Sequence, residues 1–277
     1  MDKDRLDFLI DMALREDMPN GDITSESVIS DVSTSKAVIL AKEDGVLAGI
    51  DIAETVFRTI DPSLNFHKLK NDGNMISAGQ KLARIEGNSI SLLKGERTAL
   101  NFLQRLSGIA SMTHKFVDSL TGTRTQILDT RKTTPGLREL EKYAVRMGGG
   151  KNHRMSLSDM VLIKDNHLQL VGSISEAVTR ARKKVGNKMK IEVETTSIEE
   201  VKEALETGAD LIMLDNMSIE AMKEVVEFIQ GRVPLEVSGK VDLNRIKELA
   251  SLGVDYISVG GLTHSYHSLD ISLEFMA

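Results

Sequence analysis

Hydrophobic spacing along the chain changes style partway through. In the first part both periodicities are mixed over short stretches. Leu6, Leu9, Ile10, Ala13 and Leu14 fall on one face at helical spacing, so a helix is expected there. Residues 15–24 contain Pro19, Asn20 and Gly21 and read as a breaker-rich loop. Residues 35–41 alternate toward a strand, 45–49 make a turn and a short strand, and 52–60 return to helical spacing. Short strands are expected at 66–69, 80–85 and 89–92, separated by Asn71-Asp72-Gly73, Gly79 and Gly87-Asn88. A long helix follows from Gly95, with Leu100, Leu103 and Leu106 on one face. Gly108 is expected to interrupt it before it resumes over 109–120.

From Gln126 onward apolar runs and helical patterns alternate. The runs lie at 126–128, 160–163, 190–193, 211–214, 234–237 and 256–259. Between them Ile174, Ala177, Val178, Ala181 and Val185 share a face, as do Ile219, Met222, Val225, Val226 and Ile229, and then Leu243, Ile246, Leu249 and Ala250. Ser173 with Glu176, and Ser197 with Glu200, form capping boxes at two helix starts. The later strands recur at roughly 20–25 residues, a repeated βα unit. Such alternation predicts a parallel sheet with helices outside it. No Gly-x-Gly-x-x-Gly follows the first strand, so a βα barrel, closed or incomplete, is favoured over a dinucleotide-binding sheet. The expected fold class is α/β, with an α+β N-terminal domain over residues 1–107 and a βα-barrel domain over 108–267.

Composition narrows the class without changing this picture. The chain has 277 residues, 41% hydrophobic and 27% charged, with a net charge of −6, which is ordinary globular composition. Cysteine is absent, which removes disulfides, thiolate nucleophiles and zinc–thiolate sites and suits a reducing compartment. The amphipathic start is unlike a signal peptide and no apolar run approaches membrane-spanning length. A cytoplasmic location with no membrane partner is therefore expected. The acidic balance, few aromatics and absent tryptophan argue against a nucleic-acid surface.

Within this acidic chain, residues 129–167 concentrate cations: Arg131, Lys132, Arg138, Lys142, Arg146, Lys151, Arg154 and Lys164, with His153 and His167 among them. Arg138, Glu139, Glu141, Lys142 and Arg146 have opposite signs at helical spacing, the pattern of a solvated helix face. Arg131, Lys132, His153, Arg154 and Lys164 instead stand at the ends of apolar runs or beside glycines. Arginine forks carboxylates and phosphates bidentately, so a small polyanionic substrate explains this surplus. His153 taken alone is equally consistent with a structural histidine. Each barrel strand also ends in a polar or glycine residue: Asp129, Lys164, Glu194, Asp215, Ser238 and Gly260. In βα barrels that rim builds the active site. Glu194 and Asp215 suit hydroxyl binding, a magnesium ion or a sugar cation; neutralising the buried cations is the plainer alternative. Ser238-Gly239 and Gly260-Gly261 let backbone N–H groups approach a phosphate, or simply turn the chain. His67, His114, His264 and His267 are expected to be structural or superficial, and the thirteen methionines to fill the core.

Long motifs then bring a resemblance. Asp-Thr-Arg-Lys-Thr-Thr-Pro-Gly-Leu-Arg (129–138), Glu-Lys-Tyr-Ala-Val-Arg (141–146), Gly-Gly-Gly-Lys-Asn-His-Arg (148–154) and Val-Leu-Ile-Lys-Asp-Asn-His (161–167) closely resemble quinolinate phosphoribosyltransferases, the carboxylating nicotinate-nucleotide pyrophosphorylases. Gly-Glu-Arg-Thr-Ala-Leu-Asn-Phe (95–102), Leu-Ser-Gly-Ile-Ala (106–110), Glu16-Asp17 and Gly-Asp-Ile-Thr (21–24) extend the likeness over nearly the whole chain.

The resemblance implies a glycosyltransferase of the phosphoribosyltransferase type. Quinolinate and phosphoribosyl pyrophosphate would give nicotinate mononucleotide, pyrophosphate and carbon dioxide, feeding NAD biosynthesis. It implies magnesium, and a homodimer whose active sites are shared, with assembly to a hexamer left open. Arg97 would reach across the dimer interface. Thr130, Arg131, Lys132, His153, Arg154 and Lys164 would contact substrate, and Glu194 and Asp215 would serve the ribose and the metal. Ser238, Gly239 and Lys240, then Val259, Gly260 and Gly261, would form phosphate loops. Lys132, Glu194 and Asp215 are the expected catalytic groups. Residues 268–277 would rejoin the N-terminal domain. Two positions depart from the family pattern: Lys240 stands where glycine is common, and Gly261 where alanine is frequent. If position 240 needs positive φ, Lys240 is strained. A lysine-dependent aldolase using Lys164, and a non-catalytic sensor, are the competing readings from other classes.

Overall fold

The computed structural model describes residues 2–276, so residues 1 and 277, the outer ends of the two expected terminal segments, lie outside the described residues. The chain divides into two compact units. The first holds the residues up to His114, then Glu139–Gly149, then those from Tyr266 onward. The second holds Lys115–Arg138 and Gly150–Ser265. The expected boundary at 107/108 lies inside a continuous helix, and the division between the units falls at His114/Lys115 in that same helix.

The first unit runs α1 (Lys3–Asp17), α2 (Ile23–Val28), β1 (Thr34–Ala41), β2 (Gly45–Val46), α3 (Ile50–Ile60), β3 (Asn65–Lys68), β4 (Met75–Ile76), β5 (Lys81–Asn88) and α4 (Ser89–Asp118). Its main sheet has the order β12-β1-β5-β3, all antiparallel, where β12 is the closing strand Ile271–Phe275. Ala53, Val56 and Phe57 of α3 are buried, and the Phe57 and Phe66 rings lie 6.0 Å apart. α2 begins at the end of the stretch read as a loop, sharing residues 23–24 with it, because Asp22 caps it by accepting from the Thr24 and Ser25 amides.

Three expectations for this unit are corrected. Residues 89–92 are not a strand but the first turn of α4. Asn88 accepts from the Ser91 amide at 3.0 Å, so the Gly-Asn pair read as a separator caps a helix. Gly108 does not interrupt α4, whose helix passes straight through it. A Cβ at Gly108 would stand 2.1 Å from the His267 carbonyl oxygen, so this glycine answers to a close crossing. The charges on the helix at 138–147 are only in part a solvated face: Arg146 is exposed as expected, but the middle pair is not. Glu141 and Lys142 are fully buried, and Glu141 accepts from Arg105 Nε at 3.1 Å. Tyr143 Oη donates to Asp72 at 2.6 Å, and Asp72 accepts from the Ile50 amide.

The second unit continues with β6 (Gln126–Leu128), α5 (Arg138–Met147, nearly all of which groups with the first unit), β7 (Val161–Ile163), α6 (Asp165–Val171), α7 (Ile174–Val185), β8 (Ile191–Thr195), α8 (Ile198–Glu206), β9 (Leu211–Asp215), α9 (Ile219–Ile229), β10 (Leu235–Ser238), α10 (Ile246–Ser251), β11 (Tyr256–Ser258) and α11 (Gly261–His264). Ser173 and Ser197 cap α7 and α8, accepting from the amides of Glu176 and Glu200, but the reciprocal half of the expected capping boxes is replaced: Glu200 accepts from the Thr196 amide and Glu176 from Arg180. The six strands pair in parallel in the order β6-β11-β10-β9-β8-β7. β6 and β7 are not paired with each other, so the barrel is incomplete. β8, β9 and β10 are buried along nearly their whole length, as strands covered on both faces must be. No helix among the described residues is long and apolar enough to cross a membrane.

Candidate active site

The carboxyl ends of the barrel strands open onto a cavity of about 620 Å³. Thr130, Arg131, Lys132, His153, Arg154, Lys164, Glu194, Asp215, Ser238, Gly239 and Lys240 line it, so most of the expected site residues meet there. Arg97, Val259, Gly260 and Gly261 are not among its lining residues. Arg97 is exposed on α4 in the other unit. Val259 is buried and donates its amide to the Leu128 carbonyl.

Local structure explains how the two motif loops are held. Lys151 pairs with Leu128 beside β6, and Asp129, wholly buried at the end of β6, accepts from the His153 amide at 2.9 Å. Asn152 Nδ2 donates to the other oxygen of the same carboxylate. Asp129 therefore works as an anchor that aims His153 and Arg154 into the cavity. Arg138 adds a second brace, donating to Thr133 Oγ1 at 3.0 Å and to the Met155 carbonyl at 3.2 Å. His167 is not among the residues lining the cavity. Its Nδ1 accepts from the Lys164 amide at 2.9 Å and caps α6.

The cations split into two groups. Lys164 is paired with Glu194 across β7 and β8, so Glu194 partly fills the plain neutralising role. Arg131, Lys132 and Arg154 have no carboxylate within ion-pair distance among the described residues. The Nε of Arg131 is buried without a hydrogen-bond partner. Arg154 donates to the Met160 carbonyl. Burial, and then the nearby Arg131 charge, lower its proton affinity. Three cations lining one cavity, none in ion-pair contact with its carboxylates, form a site for an acidic ligand.

The late-strand loops differ from each other. Gly239 has φ +94°, and a Cβ there would stand 2.3 Å from Asn216 Oδ1 and 3.0 Å from the Asn216 amide nitrogen. Glycine is required at this turn on both counts. Lys240 has φ 45°, so the strain expected for a side chain at this position is present. Gly260 is ordinary helical backbone and does not need glycine for its dihedrals. Space there is tight, since a Cβ would lie 3.0 Å from Lys132 Cδ and 3.2 Å from His264 Nε2, and a larger residue would have to push those side chains aside.

Several lining residues escaped the sequence reading: Leu162, Met213, Asn216, Glu236 and Ser258. Asn216 Nδ2 donates to Asp215 at 2.7 Å. Glu236 matters most. Side chains alternate along a strand, so Glu192 shares the inner face of β8 with Glu194, and Glu236 shares that of β10 with Ser238. Both glutamates are fully buried one step inside the rim. His153 Nε2 stands 3.0 Å from Glu192 and 3.5 Å from Glu236. Burial, and then the charge of Glu192, push the Glu236 carboxyl up to about 8. A charged residue in the middle of an apolar run was the available signal, present in Ile-Glu-Val-Glu and in Leu-Glu-Val-Ser.

Known proteins fall on this same frame. The family model for the quinolinate phosphoribosyl transferase C-terminal domain matches residues 109–274, and that for the N-terminal domain matches residues 22–107. A quinolinate phosphoribosyltransferase [decarboxylating] of Nicotiana glauca is 45% identical over 285 residues, covering 96% of this chain and 81% of its own. A probable nicotinate-nucleotide pyrophosphorylase [carboxylating] of Bacillus subtilis is 43% identical over 270 residues, covering 98% and 93%. The crystal structure of NadC from Streptococcus pyogenes superposes with a TM-score of 0.96 at 42% identity, over 100% of this chain and 99% of that one. With both domain models matched and full-length relatives above 40% identity, the chain belongs to the quinolinate phosphoribosyltransferase family.

Proposed function

We infer that this protein transfers the phosphoribosyl group of phosphoribosyl pyrophosphate to quinolinate with decarboxylation, giving nicotinate mononucleotide, pyrophosphate and carbon dioxide in NAD biosynthesis. The observation that carries the reading is the set of Arg131, Lys132 and Arg154 facing one cavity without an ion-pair partner among the described residues. A dicarboxylate and a pyrophosphate ester repel each other, and a preformed cationic wall offsets that repulsion before any bond changes.

The roles follow from position and charge. Arg131 and Arg154 grip the quinolinate carboxylates, with Lys132 and Thr130 beside them. Bond breaking at carbon 1 of the ribose builds positive charge, and Glu194 and Asp215 stabilise it, directly or through the hydroxyls. Lys164 moves between Glu194 and the incoming anion. The turn at Ser238-Gly239-Lys240 offers its backbone to a phosphate. Once the ring nitrogen is ribosylated it is cationic and holds the electrons left by the departing carboxylate, so no imine is needed.

Magnesium fits as part of the pyrophosphate substrate. Glu194 is already paired with Lys164 and Asp215 with Asn216, which leaves two engaged carboxylates and no closed cage. Magnesium keeps several waters and takes one or two carboxylates besides substrate phosphates, so Glu194 and Asp215 would reach its water shell. The metal would shield pyrophosphate charge. Arg97, exposed on α4, is proposed to complete the site of a neighbouring copy in a homodimer. A cysteine-free chain suits the cytoplasm as the working compartment.

The test is release of carbon dioxide from carboxyl-labelled quinolinate by the purified protein. Release that requires both phosphoribosyl pyrophosphate and magnesium is the expected result. Tight binding of quinolinate with no release would make the protein a sensor instead.

A further inference from the structure

Decarboxylation leaves an electron pair on a ring carbon, and that carbon must gain a proton. The rim cations are Arg131, Lys132, Arg154 and Lys164, and arginine and lysine side chains ordinarily hold their protons to well above neutral pH, which makes them poor donors. The cluster beneath them has a proton that it can give up. His153 Nδ1 accepts from the Arg154 amide at 2.7 Å, so the imidazole carries its proton on Nε2. That nitrogen faces Glu192 at 3.0 Å and Glu236 at 3.5 Å. Both glutamates are fully buried; Glu192 faces the imidazole N–H, and Glu236 faces the imidazole and the Ser258 hydroxyl. Two ionised carboxylates this close together would repel each other in a dry interior. Holding a proton on one of them removes that repulsion.

We propose that Glu236, beside His153 on the inner wall of the cavity, is the acid that protonates the ring carbon vacated by carbon dioxide. The proposal rests on the reaction inferred above. The bond from the ring carbon to the carboxylate breaks and its electrons stay on that carbon. The Glu236 O–H bond then breaks, its proton forms the new C–H bond, and Glu236 is left as a carboxylate. Solvent returns one proton to Glu236 after the product leaves, so each turnover consumes one proton and releases one carbon dioxide. Of the two glutamates, only Glu236 is among the residues lining the cavity. The groups around Glu236 are His153, Glu192 on β8, Met213 beside it on β9, and Tyr256 and Ser258 on β11, with the Lys164 ammonium farther off. Glu192 and His153 act as positioning residues, keeping the carboxyl protonated and turned toward the ring.

The variant to make is Glu236→Gln, which keeps the volume and removes the acidic proton. Its kcat should fall about 10²- to 10⁴-fold, the usual worth of a positioned acid, with both KM values unchanged. Labelled carbon dioxide should exchange back into the carboxylated nucleotide in the variant, because the carbanion waits for a proton. In the unaltered enzyme, kcat should decline as pH rises through about 8, where Glu236 loses its proton. It should also show a solvent deuterium isotope effect. If Glu236→Gln does not fold, the wild-type pH limb and isotope effect still decide, and the absence of both overturns the proposal. So does a folded variant with wild-type kcat. The ligand atoms of His153, Glu192 and Glu236 lie within 4.8 Å of one another, so a bound cation is the rival occupant. A stoichiometric metal in purified wild type that survives mutation of Glu194 and Asp215 would overturn the proton-donor role. A wild type that releases no carbon dioxide at all would instead sink the reaction itself.

Discussion

Replacing Arg131 by alanine isolates the charge that the pocket holds in reserve. The side chain lines the cavity, its Nε is buried without a partner, and no carboxylate among the described residues pairs with it. It also raises the electrostatic cost of the neighbouring Arg154. Removing it therefore breaks no native ion pair and relieves a partly buried, unpaired charge, so folding stability should be unchanged or raised. Binding is different. Truncating one partner of a buried charge pair costs about 2–5 kcal/mol. At about 1.4 kcal/mol per tenfold, that is a loss of roughly 30-fold to several thousand-fold in quinolinate affinity. Steady-state kinetics with quinolinate varied at saturating phosphoribosyl pyrophosphate reads this directly, and thermal melting checks the fold. Arg131→Lys should fall between, because a point charge cannot make the bidentate contact. A folded Arg131→Ala enzyme with a near-normal KM for quinolinate would refute the assignment.

Other outcomes follow from the same geometry. Gly239→Ala should lower the melting midpoint by about 2–4 kcal/mol in stability terms, from a left-handed backbone and a clash with Asn216. Lys240→Gly, at φ 45°, should leave it unchanged or raise it, and equal losses in the two variants would defeat the backbone argument. Glu236 has a folded-state carboxyl raised from 4.5 to about 8, so the folded state binds that proton more tightly than the unfolded chain. Stability from this group is then fully present below about 4.5 and declines as pH rises through about 8. Melting curves should show wild type losing stability between about pH 4.5 and 8 relative to Glu236→Gln, with no further loss above that; parallel curves would remove the buried acid. Finally, inactive Arg97→Ala and Lys164→Ala proteins, mixed under conditions of subunit exchange, should regain partial activity if each site draws Arg97 from its neighbour. No regain would count against a shared site.

Much of this was legible in the chain, and the misses have physical causes. The strand-end residues could be placed because a parallel barrel forces every strand to finish on one rim, so Lys164, Glu194, Asp215 and Ser238 converge whatever the details. Glu192 and Glu236 were hidden because an apolar run is recognised by its neighbours, and a buried glutamate inside it looks like an interruption. Only the third dimension reveals that both face His153. Gly108 was misjudged for a similar reason: local propensity argues for a break, while the crossing of His267 that requires glycine lies far along the chain. Glu141 and Lys142 alternate in sign like a solvated face, yet both are buried, Glu141 against Arg105. Charge pattern alone cannot distinguish water from a buried partner. Asp129 stood in the motif without a role until its bonds to Asn152 and His153 showed it holding the second motif loop in place.

The most direct measurement is a crystal structure with quinolinate and an unreactive phosphoribosyl pyrophosphate analogue bound together. The account predicts quinolinate carboxylate oxygens within hydrogen-bond distance of the Arg131 and Arg154 guanidinium groups, with the ribose facing Glu194 and Asp215. Quinolinate seated away from the barrel rim, or in the cavity with neither arginine touching a carboxylate, would contradict it.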